Sequence, residues 1–322
     1  MRRRQFITLL GGAAAGFPLL ARAQPTKVPV VGVLTPHLID PAFGEFFEQL
    51  RKLDYEDSRN VQLLIRSADT RLEQLPRLAA ELVHAKVNVI VAFYTPGSRA
   101  AIDATREIPI VMGIVGNPVA TGFVDNLARP GGNVTGVSNM SGDLASKRLE
   151  LLKEAVPAIR RVAVMFNPDD PITPPQLRET ENAARRLPVE VRFFAVRNQE
   201  MLSSAFKELS SWPADGLLWL AGQAQSFMEG TISLAAAHRL PTMLPLQSDV
   251  RAGGLLSYYA DNRELFRRTA TYVDKILKGA APADLPIEQP TTFQLVINLK
   301  TARTLGLTIP TLLLARADEI IE

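Results

Sequence analysis

Short apolar runs alternate with longer amphipathic stretches along most of this chain. The apolar runs are rich in β-branched residues, and residues 87–93 are almost all apolar, as expected of a strand buried on both faces. The amphipathic stretches carry apolar residues at helical spacing. The first half of the pattern predicts strands at residues 28–34, 61–65, 87–93, 108–114 and 134–138, with helices at 42–53, 75–85 and 98–106 between them.

The same alternation begins again after residue 138. It predicts helices at 144–155, 173–187, 199–209, 225–237 and 264–277, and strands at 162–166, 189–196, 216–220, 242–246 and 253–259. Strands that alternate with helices of this length are typical of βαβ units and parallel sheets. The predicted fold class is therefore α/β, with two Rossmann-like, doubly wound parallel-sheet lobes joined by a hinge.

The two predicted lobes are not separated by a Gly/Ser linker, so we expect the chain to cross between them in short segments near residues 138–141 and 257–261. On this interpretation the N-terminal lobe comprises residues 24–138 plus about 258–284. The C-terminal lobe comprises residues 139–257 plus about 285–322.

The first 23 residues have the composition of an export signal. Arg2, Arg3 and Arg4 precede a short apolar stretch, which ends at the cleavage-site pattern Ala-Arg-Ala at residues 21–23. The apolar stretch is too short to span a bilayer comfortably. The Arg3-Arg4 pair favours a twin-arginine signal, and the alternatives are an ordinary Sec signal or a membrane-retained N-terminus.

Composition and charge change this interpretation in one respect. The 322-residue chain has a formal charge of +3, but the predicted signal holds four arginines and no acidic residue, so without it the charge is −1. A nearly neutral mature chain gives no electrostatic reason to expect a nucleic acid partner. The chain has no cysteine, which excludes disulfides, thiolate metal sites and a lipid-modified N-terminal cysteine.

Signatures of catalysis are missing from the sequence. It contains no dinucleotide-binding glycine fingerprint after a strand, no phosphate-binding P-loop, no nucleophile elbow and no zinc-protease motif. Its three histidines, His37, His84 and His238, have unrelated spacings. We therefore predict a protein that is not an enzyme, with no catalytic residues, no metal ligands and no cofactor.

Candidate ligand-binding residues follow from the topology, because ligands of open parallel sheets bind beyond the carboxyl ends of the strands. Hydroxyls, amides and helix starts at those positions suit a neutral or zwitterionic ligand. Two tyrosines in the predicted hinge could stack on a ligand. The candidates are Thr35, His37, Thr95, Ser98, Asn117, Asn167, Gln223, Tyr258 and Tyr259.

Each candidate has a structural alternative. Thr95 or Ser98 could simply cap a helix, and Asn117 and Asn167, each directly before proline, could be turn residues. The loop carboxylates Asp169 and Asp170 fit either a ligand ammonium group or a solvated loop. The hinge tyrosines could instead pack between the lobes.

Several stretches, taken together and in order, resemble the ABC transporter substrate-binding family, whose members include tryptophan- and tyrosine-binding proteins. They cover nearly the whole chain. They are residues 2–10, the run LARPGGNVTGVS at 127–138, KRLELL at 147–152, residues 275–290, and LVINLKTA at 295–302 with LGLTIP at 305–310 and the remainder to 322.

The resemblance implies a type I periplasmic-binding fold, with a ligand enclosed between two lobes and a separate ABC permease and ATPase as partners. The sequence departs from the family pattern where the ligand would lie. The family commonly has a Gly-Thr-Pro-Ala-Ala turn where this chain has YTPGS at 94–98, an aspartate where this chain has Asn117, and Ser-Tyr-Gly where this chain has Ser-Tyr-Tyr at 257–259. These differences alter charge and bulk at the expected pocket.

The function predicted from the sequence is that of an extracytoplasmic solute-binding protein of an ABC importer. It would capture a small organic molecule, an amino acid or an aromatic compound, in the periplasm of a Gram-negative bacterium. We expect a monomer that meets the membrane only through the permease or an uncleaved signal. The alternatives are a periplasmic sensor or chemoreceptor accessory protein with the same fold, and a secreted α/β enzyme.

Overall fold

The protein is described here by a computed structural model, which covers residues 28–37, 42–222 and 225–322. The predicted export signal at residues 1–23 lies outside the described residues. No helix within the described part of the chain is long and apolar enough to cross a bilayer.

The first lobe is built on a five-stranded sheet in which all neighbouring strands are parallel. Its elements are β1 (Val30–Thr35), α1 (Phe43–Lys52), β2 (Gln62–Ser67), α2 (Leu75–His84), β3 (Val89–Phe93), α3 (Tyr94–Ala104), β4 (Ile110–Val115) and β5 (Val134–Ser138). The strand order is β2-β1-β3-β4-β5.

Both faces of this sheet are buried, as the apolar runs predict. In β3, Val89, Val91 and Phe93 belong to one apolar cluster, which includes side chains from α1. The alternate residues, Ile90 and Ala92, belong to a second cluster, which includes side chains from α2 and α3. The period of two along a strand separates these faces.

The second lobe contains a seven-stranded sheet in the order β12-β11-β10-β9-β8-β6-β7. The elements after β5 are α4 (Leu144–Ala155), β6 (Arg161–Phe166), α5 (Thr173–Arg186), β7 (Glu190–Ala195), α6 (Gln199–Glu208), β8 (Gly216–Trp219), α7 (Gln225–Ala237), β9 (Thr242–Leu244), α8 (Gln247–Arg251), β10 (Leu256–Ala260), α9 (Asn262–Leu277), β11 (Phe293–Asn298), α10 (Leu299–Leu305), α11 (Thr311–Leu314) and β12 (Glu319–Ile321). Its strands are parallel except for the antiparallel pair β10 and β11.

The chain passes between the lobes in three short segments within the described residues. The first joins β5 to α4, and the second joins β10 to α9, which packs on α1 and the first sheet. The third joins α9 to β11, and Glu288 in it pairs by backbone hydrogen bonds with Gly136 and Ser138. The predicted fold class, two doubly wound α/β lobes, is confirmed, and the lobe limits drawn from the sequence stay a prediction.

Two helix starts differ from the sequence prediction. Helix α3 begins at Tyr94, directly after β3, whereas the sequence predicted a loop at 94–97 and a helix from Ser98. Residues 247–249, also predicted as a loop, form most of the one-turn helix α8. Thr95 therefore lies on the first turn of α3, where backbone N–H groups point out of the helix end, and Ser98 lies about one turn further along.

Candidate functional site

The two sheets direct the carboxyl ends of their parallel strands toward a common cleft of about 810 Å³. That volume lies within the range of ~300–1,000 Å³ that is typical of small-molecule sites. The first lobe contributes His37, Ala42, Tyr94, Thr95, Pro96, Ile114 and Gly116. The second lobe contributes Arg148, Asp170, Ile172, Ala221, Gly222, Pro245, Leu246, Gln247, Ser248, Arg251, Gln294, Asp318 and Glu319. The crossing segments and the start of α9 add Asn139, Ser141, Tyr259, Ala260, Asp261, Asn262 and Arg263.

The lining residues of the first lobe up to Gly116 form what we call the neutral wall, because none of those described is Asp, Glu, Lys or Arg. The charged residues Asp261 and Arg263 enter the lining beside it, from the start of α9. Thr95 is buried on the first turn of α3, and its Oγ1 accepts a hydrogen bond of 3.2 Å from the Gly116 backbone N–H. The His37 ring, only 3% exposed, lies 4.9 Å from the Tyr94 ring. Aromatic rings and a hydroxyl therefore face the cleft from this side.

The second-lobe residues of the lining form the charged wall. Arg251 on α8 holds the Glu319 carboxylate with both its Nε (3.1 Å to Oε1) and its Nη2 (3.0 Å to Oε1). The Gln247 amide donates a further hydrogen bond to Glu319. Because β11 runs antiparallel to β10, β12 begins, rather than ends, at the cleft, and this places Glu319 there.

The hinge strand β10 presents its two tyrosines differently, because side chains of successive strand residues point to opposite faces of the sheet. Tyr259 lines the cleft, and its hydroxyl donates to Gln294 Oε1 at 2.6 Å. Burial, and after it the nearby carboxylates of Asp261 and Glu319, raises the pKa of Tyr259 to about 12. The hydroxyl therefore remains a protonated hydrogen-bond donor throughout the physiological pH range.

Tyr258 packs away from the cleft. Its ring stacks on Phe293 at 5.8 Å between centroids and contacts the apolar cluster of the second lobe. Burial is also the main reason that the pKa of Tyr258 is raised. The two hinge tyrosines therefore follow different alternatives: Tyr258 packs against neighbouring side chains, and Tyr259 lies on the cleft lining.

The lobes touch across the cleft at Gly116, which follows β4. A Cβ atom at this position would lie far inside van der Waals distance of Ile172 Cγ1 and Cδ1, and 2.7 Å from Ser141 Oγ. Ile172 stands at the start of α5 in the second lobe. Only a residue without a side chain permits this approach of the two lobes beside the first crossing segment.

The sequence-predicted site residues divide into two groups. His37, Thr95 and Tyr259 lie together on the cleft lining. Five others do not line it: Thr35, Ser98, Asn117, Asn167 and Tyr258. Gln223 lies outside the described residues. Whether any of the nine contacts a ligand stays a prediction.

Four of the five residues outside the lining have side-chain polar atoms in hydrogen bonds with other residues of the protein. The Thr35 hydroxyl donates to the His37 carbonyl (2.7 Å), and the Ser98 hydroxyl to the Ala92 carbonyl (2.9 Å). The Asn117 amide donates to Asp143 at 2.8 Å and accepts from the Ala120 N–H, while Asn167 Oδ1 accepts from the Asp169 N–H. Most of these are bonds of turn and helix-start residues, the alternative that the sequence had left open, whereas the Asn117–Asp143 bond joins the first lobe to the residue before α4.

Sequence reasoning missed Arg148, Arg251, Gln294 and Glu319. Gln294 and Glu319 lie near the starts of strands, so a rule that searches only beyond strand ends passes over them; the reversal of direction between β10 and β11 was the missing signal. Arg148 lies on a predicted amphipathic helix whose pattern is typical of a packing surface, and Arg251 ends a five-residue helix that the sequence did not predict. Nothing local to the sequence marks these arginines as cleft residues.

A second, smaller hollow of about 440 Å³ lies on the outer surface between α2 and α3. His84 and Asp103 are the ionisable residues among those that line it. It receives nothing from the second lobe or from the crossing segments, so we assign the functional site to the larger cleft. No group of three or more acidic or histidine side chains suited to a metal ion occurs within residues 28–37, 42–222 and 225–322.

Two lobes of parallel-dominated sheet, three crossing segments and an interlobe cleft together define a binding protein of the type I periplasmic-binding fold. A sequence profile of the family described as "ABC transporter substrate binding protein" matches residues 27–321, and the chain belongs to that family. The family is one of solute-binding proteins, and the resemblance inferred from the sequence is confirmed.

Individual relatives agree with this assignment. The chain is 26% identical to a tyrosine-binding protein of Clostridioides difficile, over 84% of this chain and 77% of that protein. It superposes on a Streptococcus pneumoniae ABC domain in complex with L-Trp with a TM-score of 0.83, at 26% identity over 91% of this chain and 99% of that one.

A third similar structure is the ligand-free, open form of a substrate binding protein with adhesive properties from Clostridium difficile. Its TM-score is 0.66, at 25% identity over 91% of this chain and 99% of that one. At nearly equal identity, this chain superposes with a higher TM-score on the L-Trp complex than on the open form.

Proposed function

We propose that the chain is an extracytoplasmic solute-binding protein of an ABC importer, which captures a small organic molecule between its two lobes. The observation that carries the proposal is the cleft of about 810 Å³, lined from both sheets and from the crossing segments. A ligand there contacts both lobes at once, so its binding favours the closed arrangement.

The proposed ligand is an amino acid or an aromatic compound. Similar proteins are described as tyrosine-binding or carry L-Trp, which supports this class. The cleft offers such a ligand aromatic surface from Tyr94 and His37 and, from Tyr259, a hydroxyl oxygen that can accept a hydrogen bond while its proton is donated to Gln294. Stacking on an aromatic ligand contributes on the order of 0.5–1.5 kcal/mol beyond burial of its area.

The proposed partners are a cognate permease and ATPase, and the proposed location is the periplasm. Membership of a family of ABC substrate-binding proteins supports both. So does the segment Arg2 to Ala23, which has the composition of an export signal. Delivery rather than sensing is the role that this family assignment favours.

Calorimetry on the mature protein, residues 24–322, tests ligand capture directly. The panel consists of L-tyrosine, L-tryptophan, L-phenylalanine, aliphatic amino acids, aromatic acids and their amides, and sugars, the last as a class without aromatic surface. We expect a ligand from the amino acid or aromatic group to bind and to reduce the radius of gyration measured by X-ray scattering. A panel in which nothing binds would contradict the proposed function.

Export is tested on the full chain. If the twin-arginine route is used, Arg3→Lys combined with Arg4→Lys leaves unprocessed precursor in the cytoplasm. The matched control is Arg22→Lys, which conserves charge in the same way outside the twin-arginine pair. Normal processing of the double variant contradicts the route, whereas cytoplasmic retention of all forms, wild type included, contradicts the periplasmic location.

A further inference from the structure

A fully buried arginine stands at the base of the cleft. Arg148 belongs to α4 of the second lobe, is 1% exposed and still lines the cleft. Long cationic side chains are rarely buried to this degree unless they are paired with an opposite charge. Arg148 therefore requires a physical explanation.

Its recorded partners are two backbone carbonyls. Nε donates to the Tyr258 carbonyl at 2.8 Å, and Nη1 donates to the Ser141 carbonyl at 3.3 Å. Ser141 belongs to the first crossing segment and Tyr258 to the hinge strand that leads to the second, so one guanidinium links the two. This explains two of the five N–H groups that an arginine offers.

No carboxylate in the described part of the chain forms an ion pair with Arg148. The three carboxylates of the charged wall have other partners: Glu319 is held by Arg251, Asp318 accepts the Leu295 N–H at 2.7 Å, and the buried Asp170 accepts the Ile172 N–H at 3.1 Å. Burial lowers the pKa of Arg148 to about 10, so the side chain is still cationic at neutral pH. A buried positive charge thus faces the cleft with neutral partners only.

Neutral carbonyls solvate a cation less well than a carboxylate does, and a planar guanidinium offers paired N–H groups in the geometry of a carboxylate. The Nη2 group has no hydrogen-bond partner among the described residues. An acceptor group of a ligand at the base of the cleft can receive hydrogen bonds from the remaining N–H groups of Arg148. The neutral wall opposite offers hydroxyl and aromatic contacts. The other arginines of the described lining are Arg251, which is paired with Glu319, and Arg263 at the start of α9.

We propose that the ligand carries a carboxylate and that Arg148 binds this carboxylate, so that the ligand's charge is recognised at the hinge. This rests on the proposed function, since it assigns a chemical class and a contact residue to the same cleft. The guanidinium that binds the carboxylate also holds the crossing segments through Ser141 and Tyr258. Charge recognition and hinge geometry are therefore joined in one side chain.

The first test needs no variant. Each acid is compared with its own amide, which has nearly the same shape but no negative charge: L-tryptophan with L-tryptophanamide, L-tyrosine with L-tyrosinamide, and indole-3-propionate with indole-3-propionamide. Calorimetry on the wild-type mature protein should show that the acid of a bound pair binds about 10- to 150-fold more tightly than its amide, the range expected for a hydrogen bond to a charged group.

The second test assigns that preference to the residue. In Arg148→Gln the ratio of acid to amide affinity should fall to within about threefold, while Arg148→Lys, which keeps the charge, should retain part of it. The matched control is Lys147→Gln, which removes the same charge from the neighbouring position on α4, where Lys147 pairs with Glu150 outside the cleft. The control should keep the wild-type ratio.

Each outcome is decisive. An amide that binds the wild type as tightly as its acid overturns the proposal, as does an acid preference that survives in a folded Arg148→Gln protein. If Arg148→Gln does not fold, as judged by circular dichroism, the wild-type pairs and Arg148→Lys decide. Binding of neutral panel members alone refutes the carboxylate but not the solute-binding function, whereas a panel in which nothing binds refutes both.

Discussion

The neutral and charged walls of the cleft are built at equivalent places on two similar lobes, yet they offer a ligand different chemistry. On the neutral wall the Thr95 hydroxyl is engaged by a backbone N–H, and the contact surface is largely rings and aliphatic groups. On the charged wall Arg251, Gln247 and Glu319 form a hydrogen-bonded network that is partly open to solvent.

This difference indicates a division of roles between the lobes. Rings and engaged hydroxyls select shape, because they are fixed by packing and carry no net charge. Charges on the opposite wall and at the hinge select the sign and position of charge on the ligand. We therefore expect substitutions on the neutral wall to change affinity for all ligands alike, and substitutions on the charged wall to change it according to ligand charge.

The largest effect is expected where the two walls meet. In Gly116→Val the added side chain occupies the space of Ile172 Cγ1 and Cδ1, so we expect it to hold the two lobes apart at this contact and to hinder their closure on a ligand. Overpacking of this kind costs about 1–3 kcal/mol, equivalent to a loss of affinity of about 5- to 150-fold. Calorimetry should show the loss for acids and amides alike, and scattering should show no contraction with ligand.

The control is Gly44→Ala on α1, where an added Cβ meets nothing within 4 Å. It should bind like the wild type. Combining Gly116→Ala with Ile172→Ala removes two of the three atoms nearest the added Cβ and should recover affinity relative to Gly116→Ala alone. A Gly116→Val protein that still contracts on binding shows that the lobes do not meet at this glycine.

The next effect concerns pH and involves α8, the helix that carries Gln247 and Arg251 of the charged wall. Asp249 lies on the first turn of α8, where its Oδ2 accepts a hydrogen bond of 3.0 Å from the Leu246 N–H. This residue is only 8% exposed. Burial raises the pKa of this carboxyl to about 6. The folded protein therefore holds the proton more tightly than the unfolded chain, and the contribution to stability is complete below about pH 4 and lost as the pH rises toward 6.

An amide at this position cannot titrate, so Asp249→Asn should become more stable relative to the wild type between pH 4 and 7, by up to about 3 kcal/mol. Urea unfolding at the two pH values measures the change. Asp103→Asn, on the exposed side of α3 in the first lobe, serves as the control and should show no such trend. Parallel pH profiles for wild type and Asp249→Asn would contradict the burial argument.

A smaller effect is expected at the hinge, where the walls join. The Tyr259 hydroxyl gives its proton to Gln294 Oε1, so toward a ligand its oxygen acts as an acceptor. Tyr259→Phe removes that acceptor, and one neutral hydrogen bond contributes about 0.5–1.5 kcal/mol, or about two- to tenfold in affinity. Because the pKa of Tyr259 is about 12, this loss should not vary from pH 6 to 9.

Tyr258→Phe is the matched control, because its ring packs on Phe293 outside the cleft lining. It should bind ligand within about twofold of the wild type. Equal losses in the two variants would mean that both hinge tyrosines contribute to binding, and a loss confined to Tyr258→Phe would reverse their assignment.

A residue of this cleft could be predicted from the sequence where short-range patterns place it there, and not where contacts between distant segments do. β3 was predictable because five consecutive apolar residues indicate a strand that is buried on both faces. His37 and Thr95 were predictable because both follow the carboxyl ends of parallel strands. The choice between Tyr258 and Tyr259 was not, since it depends on which face of β10 is turned toward the first lobe.

The charged wall could not be predicted from neighbouring residues in the sequence, because it also depends on contacts between distant parts of the chain. Glu319 lies in the cleft because β11 reverses direction, and its partner Arg251 is 68 residues away in the chain. In the sequence, Arg148 is a charged residue on a predicted amphipathic helix. Its contacts with Ser141 of the first crossing segment and Tyr258 of the hinge strand form only in the folded chain. Such features arise from topology rather than from the pattern of neighbouring residues.

The smallest expected effect, and the sharpest test of the division between the walls, is Glu319→Gln. Its partner Arg251 is 60% exposed and Glu319 itself 30%, so loss of this ion pair should cost stability no more than about 0.2–1 kcal/mol. Loss of the carboxylate leaves Arg251 as an additional unneutralised positive charge beside the ligand. Binding of an acid such as indole-3-propionate should therefore strengthen by about two- to fivefold, while binding of its amide should not change.

The gain should shrink as NaCl rises from about 50 mM to about 500 mM, because partly exposed charges are screened over a few ångströms at high salt. Glu154→Gln removes a carboxylate from another arginine pair of the same lobe, with Arg316, away from the cleft lining. That control should leave both affinities unchanged. An amide that gains as much as the acid in Glu319→Gln would show that this wall, like the one opposite, selects shape rather than charge.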